Sequence, residues 1–333
     1  MLSRRYLSVV LGAIFLGAGL AVSAQQGLAS RTFRFTYQVT VKDIPSGARS
    51  VDVWVPYPQS DALQTIHSVT MRAPGAVSVN RLPEHDNTAL YFRQAPPPKQ
   101  VELTMEVVAT RRENAGLREE LTPAEAREYL KAEALVPLDG PVRELAVEAT
   151  RGKKGDAEKA RAIYEKVTGM MKYDKSGTGW GRGDAIWACD AKRGNCTDFH
   201  ALIIGMARSQ GIPARFAIGA SLPPQRGTGD IAGYHCWAEM YLKGQGWVPV
   251  DSSEAAKALA TGDVAKKNYY YGHHDENRIE LSRGRHISLS PRQKGEALNF
   301  FVYPYVEVDG KKHEAMDRKF TFEDLDPARV AAR

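Results

Sequence analysis

The stretch from 194 to 206, Gly-Asn-Cys-Thr-Asp-Phe-His-Ala-Leu-Ile-Ile-Gly-Met, constrains this chain more than any other. Phe199, Leu202, Ile203, Met206 and Ala207 recur at the i, i+3, i+4, i+7 and i+8 spacing of a buried helix face. Asn195 stands where an N-cap belongs. Asp198, three residues on, completes a capping-box pattern with Asp in place of the commoner Glu or Gln. Cys196 is therefore predicted to be the first helical residue. Unpaired N–H groups and the positive end of the helix dipole there favour a thiolate over a thiol. Simple packing is the competing reading, since cysteine is among the most readily buried residues.

The rest of the chain divides by pattern. Residues 1–24 read as a secretory signal: Arg4 and Arg5 form a basic start, Leu7 to Val22 an apolar run, and Val22-Ser23-Ala24 a small-residue cleavage site. The expectation is an exported protein, periplasmic or secreted, touching a membrane only if that segment stays uncleaved. Residues 25–112 alternate with period two, as in Phe33, Phe35, Tyr37, Val39 and Val41, and are punctuated by Pro and Gly turns. They predict a β-sandwich acting as scaffold. From 113 to 265 helical patterns take over. Thr122-Pro123, Gly140-Pro141 and Asp156 open three helices, and residues 172–194 read as a long Gly-rich loop holding Trp180, Trp187 and Cys189. Residues 266–333 form a β-rich extension packed on the core. The fold class expected is α+β.

Charge and cysteine usage exclude several functions. The 333 residues carry a formal charge of +6, or about +4 without Arg4 and Arg5, and no dense basic stripe interleaved with aromatics. No nucleic-acid partner is expected. Three cysteines, at 189, 196 and 236, leave at least one thiol free, with Cys189–Cys236 an open pairing. The tight CxxC or HxxxH spacing of a zinc site is missing, and no EF-hand-like acidic loop is present, so neither metal nor cofactor is expected.

Downstream, His235 lies on one strand-like run and Asp251 ends the next. A thiol attacks an acyl carbon best when an imidazole takes its proton and a carboxylate fixes that imidazole. Cys196, His235 and Asp251 thus line up as nucleophile, base and orienter. This requires a hairpin register with an even pair sum, from a three- or five-residue loop or a bulge, so that His235 and Asp251 share a face. Pro249 places the second strand at an edge or a bulge. His200, Arg215 and Glu239 are read as packing or structural residues. So are Tyr269, Tyr270 and Tyr271, with a cleft wall the alternative for the tyrosines. His273-His274 is read as a solvated loop.

Gly-Asn-Cys-Thr-Asp-Phe-His at 194–200, Gly-Ile-Pro-Ala-Arg at 211–215, Gly-Tyr-His-Cys-Trp-Ala-Glu at 233–239 and Gly-Trp-Val-Pro-Val-Asp at 246–251 together resemble the transglutaminase-like superfamily. The preceding sandwich resembles extracytoplasmic bacterial members. The resemblance implies a papain-like core, a Cys-bearing helix packed on an antiparallel sheet. It also implies that Cys196 is the acyl-accepting nucleophile, His235 the base and then the acid, and Asp251 the orienter. An indole N–H serves as oxyanion donor in some relatives, which makes Trp180 and Trp187 candidates. The implied substrate is a protein or peptide amide, cell-wall peptide included. Hydrolysis is expected ahead of glutamine transamidation, and a non-catalytic protein- or wall-binding module is the reading from another class.

Overall fold

The computed structural model describes residues 27–331. The signal-like segment 1–24 lies outside them. The first six strands are β1 (Ser30–Val41), β2 (Val51–Pro56), β3 (Gln64–Arg72), β4 (Val77–Arg81), β5 (Thr88–Gln94) and β6 (Val101–Arg112). Three helices follow, α1 (Pro123–Glu128), α2 (Gly140–Ala149) and α3 (Asp156–Met170). Next come β7 (Lys172–Tyr173), α4 (Ala185–Ala191), β8 (Arg193–Gly194) and α5 (Cys196–Ser209). A run of strands succeeds them, β9 (Ala214–Ser221), β10 (Thr228–Ile231), β11 (Tyr234–Leu242) and β12 (Gly246–Val250). Then α6 (Ser252–Ala260) and α7 (Val264–Tyr269) lead to β13 (Arg278–Arg283). Last are β14 (Tyr305–Val308), β15 (Lys311–Lys312), β16 (Met316–Asp324) and α8 (Pro327–Ala331).

Two five-stranded antiparallel sheets form the sandwich, in orders β10-β16-β1-β6-β3 and β15-β14-β2-β5-β4. Strict alternation in β1 turns Phe33, Phe35, Tyr37, Val39 and Val41 inward, where they are buried with Val53, Val55, Phe92, Leu103 and Val107. The sandwich is not closed by residues 25–112 alone. β16 lies beside β1 and β14 beside β2, so the two sheets take strands from the last thirty or so residues of the chain. The stretch 266–333 is thus divided: β13 joins a different sheet, while β14 to β16 complete the sandwich.

That different sheet is four-stranded and antiparallel, in the order β12-β11-β9-β13. Helix α5 packs against β11 and β9, and α2, α3, α4 and α6 surround it. Every α5 residue from Cys196 to Arg208 is buried. A single apolar stripe was expected, but a helix covered on all sides needs apolar or small residues all round, and Ala201, Ile204 and Gly205 supply them. At Gly205 a Cβ would stand 2.9 Å from Val142 Cγ1, so the glycine lets α2 approach closely. The loop expected over 172–194 is partly regular. Asp184 accepts from the Ile186 and Trp187 N–H groups and starts α4, and β7 pairs with β8 in parallel.

Candidate active site

The start of α5 is built as its sequence predicts. Asn195 Oδ1 accepts from the Thr197 N–H at 3.0 Å, and Asp198 Oδ2 accepts from the Asn195 N–H at 2.9 Å, closing a capping box. Asp198 does more than cap. Its carboxylate also takes the N–H groups of Gly181 (2.7 Å) and Gly183 (2.9 Å), tying the Gly-rich loop to the helix start. Gly194, at φ +146°, is needed for this closeness, because a Cβ there would fall 2.4 Å from an Asp198 oxygen. Cys196 is therefore the first helical residue, held in place from both sides.

The hairpin has the register the site requires. Leu242 pairs with Gly246 and Ala238 with Val250, an even sum around the three-residue loop Lys243-Gly244-Gln245. β12 is an edge strand, which accommodates Pro249. His235 and Asp251 consequently face the same way, and the His235 Nε2–H donates to Asp251 Oδ2 at 2.6 Å. Asp251 doubles as N-cap of α6, its Oδ1 accepting from the Glu254 N–H at 3.0 Å and from Ser253 Oγ at 2.9 Å. The carboxylate is thereby fixed from the helix side while Oδ2 serves the imidazole.

Sequence reasoning missed the second partner of Oδ2. Arg278, on β13, donates to it from Nη1 at 2.9 Å and reaches Asp275 at 3.4 Å, while being 1% exposed. Its contact with Asp251 joins residues 27 positions apart, and nothing local in the sequence marks it. His200 is also in this neighbourhood, its Nε2 3.5 Å from Asp251 Oδ1 and its Nδ1 3.5 Å from the Cys236 sulfur.

Electrostatics follow from this packing. Burial alone would raise the Cys196 thiol, but contacts with Cys236 and then His235 outweigh it and bring the thiol down to about 6. Burial would lower His235; the Asp251 charge and hydrogen bond reverse that and lift it to about 10. The two shifts describe a thiolate–imidazolium pair at neutral pH. Asp251 is buried, yet His235 and Arg278 hold it well below the usual carboxylate range. Burial pushes His200 down to about 4, so it stays neutral beside the pair. With Cys196 2% and His235 6% exposed, these charges act in a nearly water-free setting. A groove of about 650 Å³ lies between β10 and β16, lined by Asp230, Gly233, Tyr303 and Arg318, and Tyr303 packs edge-on to Tyr234 at 5.5 Å.

Other residues fall as follows. The Trp180 indole N–H donates to the Gly177 carbonyl at 3.1 Å. Trp187 lies on α4 with the Arg193 guanidinium 5.6 Å from its ring. Cys189, Cys196 and Cys236 are all free thiols, so Cys189 and Cys236 are not bridged. Arg215 and Glu239 form a buried ion pair, and Tyr269 and Tyr270 bond Glu113 and Asp275. His274 departs from its reading as a solvated residue. It is fully buried against Trp237 because its backbone bridges to Asn114, drawing the loop under the sandwich. Among the described residues no His, Cys, Asp and Glu cluster has metal-binding geometry, and no helix is long and apolar enough to cross a membrane.

The chain is similar to several known proteins. A Haemophilus influenzae protein without an assigned function is 29% identical over 329 aligned residues, 86% of this chain and 88% of that one. The structure of a candidate cysteine protease from Cytophaga hutchinsonii shares the fold, with TM-score 0.59 over 90% of this chain and 92% of that one at 13% identity. The periplasmic domain of TgpA from Pseudomonas aeruginosa is 16% identical over 70% of this chain and 92% of its own length, with TM-score 0.36. Residues 143–252 match the family model of the transglutaminase-like superfamily, a span that runs from α2 to the first residue of α6. This chain therefore carries a transglutaminase-like superfamily domain, with Cys196, His235 and Asp251 inside it.

Proposed function

We propose that this protein is an exported cysteine enzyme that cleaves amide bonds in peptides or proteins through a thioester on Cys196. One observation carries the reading: Cys196 begins a buried helix beside an imidazole whose other side is bonded to a buried, doubly held carboxylate. In the reaction the Cys196 thiolate attacks the amide carbon, and the C=O π electrons move onto oxygen. On collapse the C–N bond breaks and the His235 imidazolium gives its proton to the departing amine. Water, deprotonated by the now neutral His235, then cleaves the thioester and regenerates the thiolate. Asp251 keeps the ring oriented throughout. Export is supported by the basic start, apolar run and Val22-Ser23-Ala24 of the first 24 residues.

The test has two parts. Iodoacetamide labelling against pH, read by peptide mass spectrometry, should modify Cys196 selectively well below pH 8, and His235→Ala should abolish that selectivity. A peptide mixture should then be incubated with and without a primary amine. New termini from added water in both reactions would support hydrolysis, whereas amine adducts on glutamine would assign transamidation instead. Equal labelling of all three cysteines, with no product, would replace the enzyme by a binding module.

A further inference from the structure

We infer that Tyr234, the first residue of β11, is a catalytic oxyanion donor acting together with the Cys196 main-chain N–H. The inference rests on the acyl-transfer reading of the site and adds to it the group that receives the negative oxygen. Alternation along β11 turns Tyr234 to the face opposite His235, the face on which α5 packs. Its hydroxyl thus arrives at the start of α5, where the Asn195 side chain meets it at 2.7 Å.

The direction of that bond is settled by what Asn195 does at its other end. Asn195 Oδ1 accepts from both the N–H and the Oγ1 of Thr197, at 3.0 and 2.6 Å, so its Nδ2 must be the group facing Tyr234. An amide nitrogen only donates. Tyr234 Oη is therefore the acceptor, and the group nearest its own proton is the Thr197 hydroxyl, a neutral neighbour whose hydrogen is already given to Asn195. The Cys196 N–H is without a partner among the described residues. Two donors that no charged or carbonyl acceptor holds thus come from the residue that attacks and from the residue bonded to its N-cap neighbour. Phe300 and Tyr303 pack the Tyr234 ring at 5.9 and 5.5 Å, fixing its direction without using the hydroxyl. Burial raises the phenol, which keeps it protonated.

The chain Thr197 Oγ1–H to Asn195 Oδ1, then Asn195 Nδ2–H to Tyr234 Oη, polarises the tyrosine O–H in the direction a nascent oxyanion needs, and an oxyanion is a far stronger acceptor than the Thr197 hydroxyl beside it. No proton is transferred to the oxygen. It is hydrogen-bonded while the C–S bond forms, and released when the C–N bond breaks. The Trp180 indole, spent on Gly177, is not available for the same task.

Alkylation separates this role from a structural one, because iodoacetamide reacts at an sp³ carbon and builds no oxyanion. The probe for acylation is p-nitrophenyl acetate, read as burst phase and as acetylated Cys196 peptide. Tyr234→Phe should lower the acylation rate roughly 100-fold, the loss typical of one oxyanion donor. Its alkylation rate should stay within about twofold of wild type, since the thiolate is held by other groups. Asn195→Asp is the second variant. It keeps an N-cap but offers Tyr234 a carboxylate to donate to, so the ratio of acylation to alkylation should fall at least about tenfold. Should Tyr234→Phe prove unfolded by circular dichroism, an unchanged ratio in Asn195→Asp overturns the assignment. Equal acylation by wild type and a folded Tyr234→Phe, or parallel loss of both reactions, also overturns it while leaving the thioester enzyme standing. A wild type that alkylates but never acylates removes both.

Discussion

The sandwich and the layer behind Cys196 are equally dry and hold opposite things. Between its sheets the sandwich buries Phe33, Phe35, Val53, Phe92, Leu103 and Val107. Behind α5 the chain buries Asp251, Arg278, His235, His200 and His274, each 6% exposed or less. Apolar burial stabilises roughly in proportion to the area removed from water. Burying charge costs desolvation that pairing only partly offsets, so an ion-rich interior is poor evidence of stability. The difference teaches where the fold is held together and where it is held ready: one interior stabilises the chain, the other fixes charges for chemistry.

Breaking the contrast at its extreme is the largest effect expected. Cys196→Ala should lower acyl transfer by about 10⁶-fold, as loss of a nucleophile does elsewhere, while its melting temperature stays at or above that of wild type. A stopped burst with a strongly lowered melting point would show that the thiol supports the fold. Asp251→Asn comes next, with a loss of about 10⁴-fold in turnover, because the amide favours the wrong imidazole arrangement while still able to cap α6. Retained turnover would remove Asp251 from the mechanism.

In the sandwich the order of effects reverses. Phe35→Ala should cost about 3–5 kcal/mol of unfolding free energy, measured by urea titration, with iodoacetamide labelling of the folded fraction unchanged. Coupled loss of Cys196 reactivity would show the two regions to be one energetic unit.

A pH experiment sharpens the contrast. The depressed Cys196 thiol contributes stability that is complete above its ordinary value of 9.0 and lost as pH falls through about 6. The raised His235 contributes stability that is complete below its ordinary value of 6.5 and lost as pH rises through about 10. Between pH 6.5 and 9 these slopes oppose, so wild-type unfolding free energy should be nearly level there. Asp251, held low, loses its contribution only as pH falls below the ordinary carboxylate value of 3.8. Removing the thiol in Cys196→Ala should expose the His235 slope, and stability should then decline with rising pH above 6.5. A profile identical to wild type would mean that no ion pair forms. The smallest effect belongs to the surface: Glu128→Gln, which breaks an exposed pair with Lys131, should leave melting temperature and labelling unchanged.

Much of this was written locally. Asn195, Cys196 and Asp198 carry the cap and position of α5 in consecutive residues, because capping is a contact between neighbours in sequence. That His235 and Asp251 share a face was expected from what a Cys–His–Asp site needs, with the glycines at 244 and 246 permitting the turn; the three-residue loop that delivers it came from the structure. Alternation in β1 announced its buried face. By contrast, Arg278 and His274 gave no signal, since what defines them is a partner far away in sequence. Tyr234 escaped for the same reason: only the packing of β11 on α5 brings its hydroxyl to Asn195.

The sequence by itself determined the helix that presents Cys196, the presence of a hairpin after it and the alternating strands, all products of short-range sterics and periodicity. Only the tertiary structure decided that β14 to β16 return to complete the sandwich and that Arg278 shares the Asp251 carboxylate with His235. It also decided that the Gly-rich loop is anchored to Asp198. Those contacts join residues 15 to nearly 300 positions apart, and their free energy comes from burial and charge pairing that exist only once the chain has closed on itself.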